Sequence, residues 1–86
     1  MKSLTRPAFW QLYRALPEDV RELARKNHRL FMANPDHPGL NFKKLRGAGN
    51  FWSVRVGRDY RVVGQRDGDT ITWLWIGPHA EYDHLF

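Results

Sequence analysis

The spacing of apolar residues changes from a helical to a strand period near residue 40. Leu16, Val20, Leu23, Ala24, Leu30 and Phe31 recur at helical intervals, interrupted only where Asn27 falls on the stripe. That pattern predicts a helix opened by Pro17, with Glu18 and Asp19 beside its positive end and Arg25, Lys26 and Arg29 toward its negative end. Before it, "PAFWQLYRAL" predicts a shorter aromatic helix, capped by Thr5 and carrying Pro7 in its first turn, where the missing N–H costs nothing. The brief connection makes the two an antiparallel hairpin with one apolar face to bury. "NPDHPG" ends it, because two prolines and a glycine cannot continue a helix.

Beyond that point "LNFKKLRG", "FWSVRVG", "YRVVGQRD" and "TITWLWIG" each fit a strand, separated by the breakers "GAGN", "GRD" and "DGD". Links this short require antiparallel neighbours, since parallel pairing needs crossovers of a dozen or more residues. The predicted architecture is α+β: an N-terminal antiparallel helix hairpin packed on one face of a twisted, mainly antiparallel sheet of about four strands, with the other face open. In the last strand, alternation places Leu74 and Ile76 on one face and Ile71, Trp73 and Trp75 on the other. Apolar residues on both faces indicate a central strand or one covered by a partner. The indoles either pack in the core or, exposed, stack on unpaired RNA bases.

Length and composition narrow the class. A chain of 86 residues makes one domain, expected over 1–86, and its 42% hydrophobic content is enough to fold. With no cysteine, disulfides, thiol catalysis and Cys-ligated zinc are excluded. The N-terminus lacks the apolar core of a signal peptide, and no apolar run approaches the roughly 18–20 residues that span a bilayer. The expectation is a cytoplasmic protein with no membrane partner.

Charge adds a location to this picture. The net charge is +5, but residues 43–66 carry seven Lys or Arg against one acid, whereas residues 67–86 carry none against four. A basic block on a small domain is the footprint of a nucleic acid or an acidic protein partner, or else a solubilising surface. Within it, Lys43, Lys44 and Arg46 either bind phosphates or guard an edge strand against aggregation. The hairpin "SVRVGRDYRVV" brings in Arg55, Arg58 and Arg61. A three-residue turn at "GRD" puts Arg55 and Arg61 on one face; an even-numbered loop puts Arg61 across from Val56. An Arg inside a strand is costly to bury unpaired, so Arg61 must reach an open face or a partner. His79, just past the last strand, has the side chain best suited to proton transfer near neutrality. The four histidines show no metal-ligand spacing, and no metal or other cofactor is expected.

Two helices followed by "HPGLNFKKLRG…FWSVRVGRDYRVVGQRDGDTITWLWIGPHAEYDHL" resemble the RelE/ParE superfamily of small bacterial toxins from type II toxin–antitoxin pairs. The likeness covers almost the whole chain. It rests on the order of elements, the "LRG" segment, the "VRVGRDYRV" hairpin and the strand reaching "IGPH". The resemblance implies one of two activities: ribosome-dependent, metal-independent cleavage of mRNA, or inhibition of DNA gyrase without catalysis. A non-toxic relative is a third outcome. For the ribonuclease, it implies Arg61 on the phosphate and His79 as acid or base, with Glu81 a base and Tyr82 standing where relatives carry a C-terminal tyrosine. Lys43, Lys44, Arg46, Arg55 and Arg58 would hold the RNA backbone. The lysines of RelE's corresponding strand are replaced by Trp52 and Val54, so a lysine-rich site of that kind cannot operate. The implied protein partner is an antitoxin that covers the basic face, adds to a sheet edge or displaces a C-terminal helix. Without a partner, the acidic tail is expected to pair with the basic block.

Overall fold

A computed structural model describes residues 1–47 and 49–86. In chain order the elements are β1 (Lys2–Thr5), α1 (Pro7–Arg14), α2 (Glu18–Ala33), a 3-10 turn (Pro38–Leu40), β2 (Lys43–Lys44), β3 (Phe51–Val56), β4 (Tyr60–Asp67), β5 (Thr70–Pro78) and α3 (His79–Leu85). The strands form one five-stranded sheet in the order β1-β5-β4-β3-β2. The α+β class and the largely antiparallel sheet are as the periodicity predicts. The "GAGN" breaker includes Ala48, which lies outside the described residues.

The sheet has one strand more than expected, and the chain one helix more. β1 runs parallel to β5, pairing Ser3 with Ile71 and Thr5 with Trp73. Its only large apolar residue, Leu4, is exposed, so "KSLT" carries no alternation to read; it is a strand because β5 offers an unpaired edge. Thr5 consequently lies in β1 rather than capping α1. The N-cap is Arg6, without a side-chain bond, and the Thr5 hydroxyl instead accepts the Trp10 indole N–H at 2.8 Å.

α1 lies against β5 and α2 against β3, so both helices close the same sheet face. Their junction is held by Tyr13, whose hydroxyl contacts Arg25 and the Arg21 carbonyl, and by Arg21, which donates to the Arg14 carbonyl at the end of α1. Asn27, the interruption in the apolar stripe, donates Nδ2–H to the Arg55 carbonyl at 3.0 Å and so stitches α2 to β3. The core between the layers gathers Phe9, Phe31, Leu40, Val54, Val56, Val62, Ile71, Trp73 and Ile76. Phe31 meets Phe42 and Trp73 edge-on at 5.0 and 5.3 Å.

The β3–β4 and β4–β5 hairpins are as short as the breakers imply. Asp67 pairs with Thr70 around Gly68 and Asp69, and φ of 59° at Gly68 is the conformation a two-residue turn with glycine first demands. At the other hairpin Val56 pairs with Tyr60, leaving Gly57, Arg58 and Asp59 as a three-residue loop with Gly57 at φ 65°. This settles the register: Arg55 lies directly across from Arg61.

A bulge corrects the reading of the tryptophans. Val63 pairs with Trp75 but Gly64 with Trp73, leaving Leu74 as the extra residue of β5. Simple alternation fails there. Ile71, Trp73 and Ile76 share the helix-packed core, while Trp75 turns to the opposite face.

Candidate nucleic-acid interface

The pairing register sorts the sheet into two faces. Trp52, Val54, Val62, Gly64, Ile71, Trp73 and Ile76 face α1 and α2. Lys43, Ser53, Arg55, Arg61, Val63, Gln65, Trp75 and Gly77 face the other way, following the direct pairs Lys43 with Ser53, Arg55 with Arg61 and Arg61 with Gly77. Lys43 therefore joins Arg55 and Arg61. Lys44, opposite Trp52, belongs to the helix side. Arg46 lies past the end of the two-residue edge strand β2, and Arg58 is exposed at the hairpin tip.

This second face is not open, as the sequence implied, but partly roofed by α3. The Tyr82 hydroxyl donates to Ser53 Oγ at 3.3 Å, and Ser53 is buried. Phe86 meets the Trp75 ring at 5.5 Å and Tyr82 at 5.8 Å. Gly77 makes the room: a Cβ there would lie 2.6 Å from Trp75 Cζ2 and 3.3 Å from Glu81 Oε2. The Glu81 carboxylate thus hangs over the strand position that faces Arg61.

Arg61 is the anomaly of this surface. It is only 8% exposed, and its Nη1 donates to the Tyr60 carbonyl at 2.8 Å, with the Arg58 carbonyl at 3.5 Å. No carboxylate lies within ion-pairing distance of it among the described residues. A second cation, Arg55, sits directly across the ladder, an arrangement that like-charge repulsion opposes. Carbonyl oxygens orient a guanidinium but do not neutralise it, so its remaining donors present a fixed fork suited to an oxyanion.

The same lack of neutralisation extends along the chain. Among the described residues the N-terminus meets Asp69 at 3.9 Å and His79 Nε2 meets Asp83 Oδ2 at 2.9 Å. The expected pairing of the acidic tail with the basic block is therefore not formed: its Asp69 and Asp83 are engaged elsewhere.

His79 opens α3 immediately after Pro78, which pairs with Tyr60. Its backbone N–H donates to the Asp59 carbonyl at 2.6 Å, fastening it to the hairpin that carries Arg61. Its Nε2 lies 2.9 Å from Asp83 Oδ2, and its ring stands edge-on to Tyr82 at 5.9 Å. The fold thus gathers Arg61, Arg55, Lys43, His79, Glu81 and Tyr82 along one face, leaves Arg58 at its rim, and separates Lys44 and Arg46 from it. Sequence reasoning passed over Ser53, Gly77 and Asp83. Only Asp83 left a legible sign, the i, i+4 spacing from His79.

His28 and His37 have local roles. His28 Nε2 is 3.0 Å from Ser3 Oγ, which also accepts the Trp73 indole N–H at 2.8 Å; burial lowers the His28 pKa. His37 Nδ1 accepts the Gly39 N–H and caps the 3-10 turn. No cluster of three His, Cys, Asp or Glu suited to a metal occurs among the described residues. No helix there is long and apolar enough to cross a membrane. On the helix side, a cleft of about 790 Å³ opens between β1, α1 and α2, floored by Phe9, Trp73 and Ile76 and edged by Arg25 and Arg29.

The fold is thus a helix pair on one face of a small, mainly antiparallel sheet, with a cation-lined opposite face under a C-terminal helix. Residues 18–84, from α2 to the end of the chain's last helix but for Leu85, match the ParE-like toxin domain family, and the chain belongs to that family, within the RelE/ParE superfamily of toxin–antitoxin toxins. Among curated proteins none matches it significantly. Solved structures share the fold. The RelB–RelE antitoxin–toxin complex of Methanococcus jannaschii contains a chain 22% identical, with a TM-score of 0.76 over 96% of this chain and 99% of that one. YafQ of E. coli is 10% identical, with a TM-score of 0.74 over 94% and 96%. The RelE–RelB complex of Pyrococcus horikoshii contains one 20% identical, with a TM-score of 0.71 over 90% and 92%.

Proposed function

We propose that this chain, as a single toxin domain over residues 1–86, is a cytoplasmic, metal-independent endoribonuclease that cleaves mRNA on the ribosome and so inhibits translation. The observation that carries this reading is Arg61, a nearly buried guanidinium without a carboxylate, facing Arg55 and bordered by His79 and Glu81. An RNA phosphate supplies the missing counter-charge. Cleavage joins the ribose 2′-oxygen to the adjacent phosphorus and breaks the bond to the 5′-oxygen, leaving a cyclic phosphate and a free 5′-hydroxyl. Arg61 offsets the charge that builds on the crowded phosphate. In this reading His79 and Glu81 take the proton from the 2′-hydroxyl and return one to the leaving oxygen. Lys43, Arg55 and Arg58 hold the flanking backbone through salt-dependent contacts. Tyr82, its hydroxyl given to Ser53, holds α3 in place.

The partner in this reading is a cognate antitoxin, as the RelB–RelE complexes exhibit for their own chains. An acidic, amphipathic segment suits both the un-neutralised cations and the apolar cleft edged by Arg25 and Arg29. The two edge strands, β1 and β2, are open to strand addition. A second reading, inhibition of DNA gyrase by binding alone, is favoured by the ParE-like character of the matched domain. Primer extension on a reporter mRNA during brief induction separates the two. New cuts that require translation and vanish in Arg61→Ala and His79→Ala support the ribonuclease. Growth arrest with intact mRNA, undiminished in His79→Ala, rejects it and turns attention to gyrase supercoiling.

A further inference from the structure

We infer that Asp83 is a positioning residue for His79 and fixes which ring nitrogen this site offers to substrate; the inference rests on the ribonuclease reading above. Asp83 Oδ2 lies 2.9 Å from His79 Nε2, one helical turn away in α3. An ionised carboxylate only accepts hydrogen bonds, so Nε2 carries its hydrogen whether the ring is neutral or charged. The exchangeable site is then Nδ1, which takes up a proton when the ring is neutral and gives one up when the ring is charged. The ring is held from a second direction as well. The His79 backbone N–H is bound to the Asp59 carbonyl on the loop before Arg61, and Tyr82 stands edge-on to the imidazole. With 42% of the side chain exposed, the ring is fixed and still reachable.

Stabilising α3 does not account for the pair. Exposed ion pairs one turn apart contribute little, and α3 is already docked by Tyr82 on Ser53 and Phe86 on Trp75. What the pair does change is the orientation of a histidine fastened to the hairpin that carries Arg61. The arrangement of carboxylate, imidazole and reacting group matches the general logic by which an acid orients a base without itself exchanging the proton.

Two measurements on the intact protein test this. Nitrogen-detected NMR of the His79 ring reads its hydrogen bonding and rotamer without any RNA. The expected result is one rotamer with a protected Nε2–H in the wild type, lost in Asp83→Ala. Ring averaging or an unprotected Nε2–H in the wild type overturns the inference, whether or not the protein cleaves RNA. Single-turnover cleavage on programmed ribosomes then reads function. Asp83→Ala should slow the chemical step about ten-fold or more at saturating toxin, within the roughly hundred-fold or greater loss of His79→Ala. Asp83→Glu should recover most of the rate. In a His79→Ala background, Asp83→Ala should cost nothing further; an equal cost in both backgrounds marks a purely structural residue and overturns the inference. A wild type whose ring is held as expected, but which cleaves nothing, removes the ribonuclease reading and leaves the ring geometry supported.

Discussion

Arg61 and Arg66 lie on the same strand, five residues apart, and the two faces of the sheet treat them oppositely. Arg66 turns to the helix side, where its guanidinium lies over Trp52 at 4.7 Å and Phe42 at 5.7 Å while Nε donates to the Gly68 carbonyl. Aromatic faces and a carbonyl satisfy that cation within the protein. Arg61 turns to the other side, is more deeply buried, and finds only backbone carbonyls with Arg55 across from it. One face is complete as it stands. The other is built around an unanswered positive charge, and on the proposed reading that difference separates the part of this molecule that folds it from the part that acts.

Substitutions on each face should therefore fail in different ways. Phe31→Ala, deep in the helix-packed core, should cost about 3–5 kcal/mol in chemical denaturation, enough to threaten a domain of ordinary stability. Two glycines make a closer pair. A Cβ on Gly64 would lie 2.8 Å from both Ile71 and Trp73 inside the core, so Gly64→Ala should destabilise the whole domain by about 1–3 kcal/mol. A Cβ on Gly77 would press on Trp75; Gly77→Ala should instead loosen α3, read as faster amide exchange in residues 79–85 with a smaller change in global unfolding. Equal global losses from the two would break the distinction between the faces.

Smaller effects sharpen it. Tyr82→Phe removes the bond to Ser53 and should cost about 0.5–1.5 kcal/mol, confined to α3 exchange rather than β4 and β5. His28 gives a pH signature on the helix side. Burial lowers its folded pKa below the ordinary 6.5, so the unfolded chain binds the proton first. Stability should be full above that value and decline modestly as pH falls through the lowered folded value. His28→Gln should flatten that portion of the stability profile.

The contrast also explains what the sequence revealed. The helix-packed face repeats apolar residues at periods that burial imposes, so α1, α2 and the three long strands were legible, and Arg61 drew notice for its cost of burial. Leu74 is the exception: one bulged residue reversed Trp75 relative to Trp73, and no alternation rule foresees a bulge. β1 and α3 were hidden for another reason. "KSLT" and "HAEYDHL" lack an apolar stripe of their own and take their structure from the β5 edge and from the Trp75 and Ser53 surface. The partners that shape the cation-lined face are distant in sequence: Tyr82 from Ser53, His79 from Asp59, Gly77 from Arg61. Spacing along a chain does not carry such pairings until the register of the strands is known.

The most direct test compares the two arginines. Arg61→Ala and Arg66→Ala are induced at matched, soluble protein levels, and translation-dependent cuts in a reporter mRNA are mapped by primer extension. The account predicts that Arg66→Ala keeps the wild-type cuts while Arg61→Ala loses them by about a hundred-fold or more. Cuts that survive Arg61→Ala, or that both substitutions weaken equally, would contradict the claim that the face beneath α3 is where this protein acts.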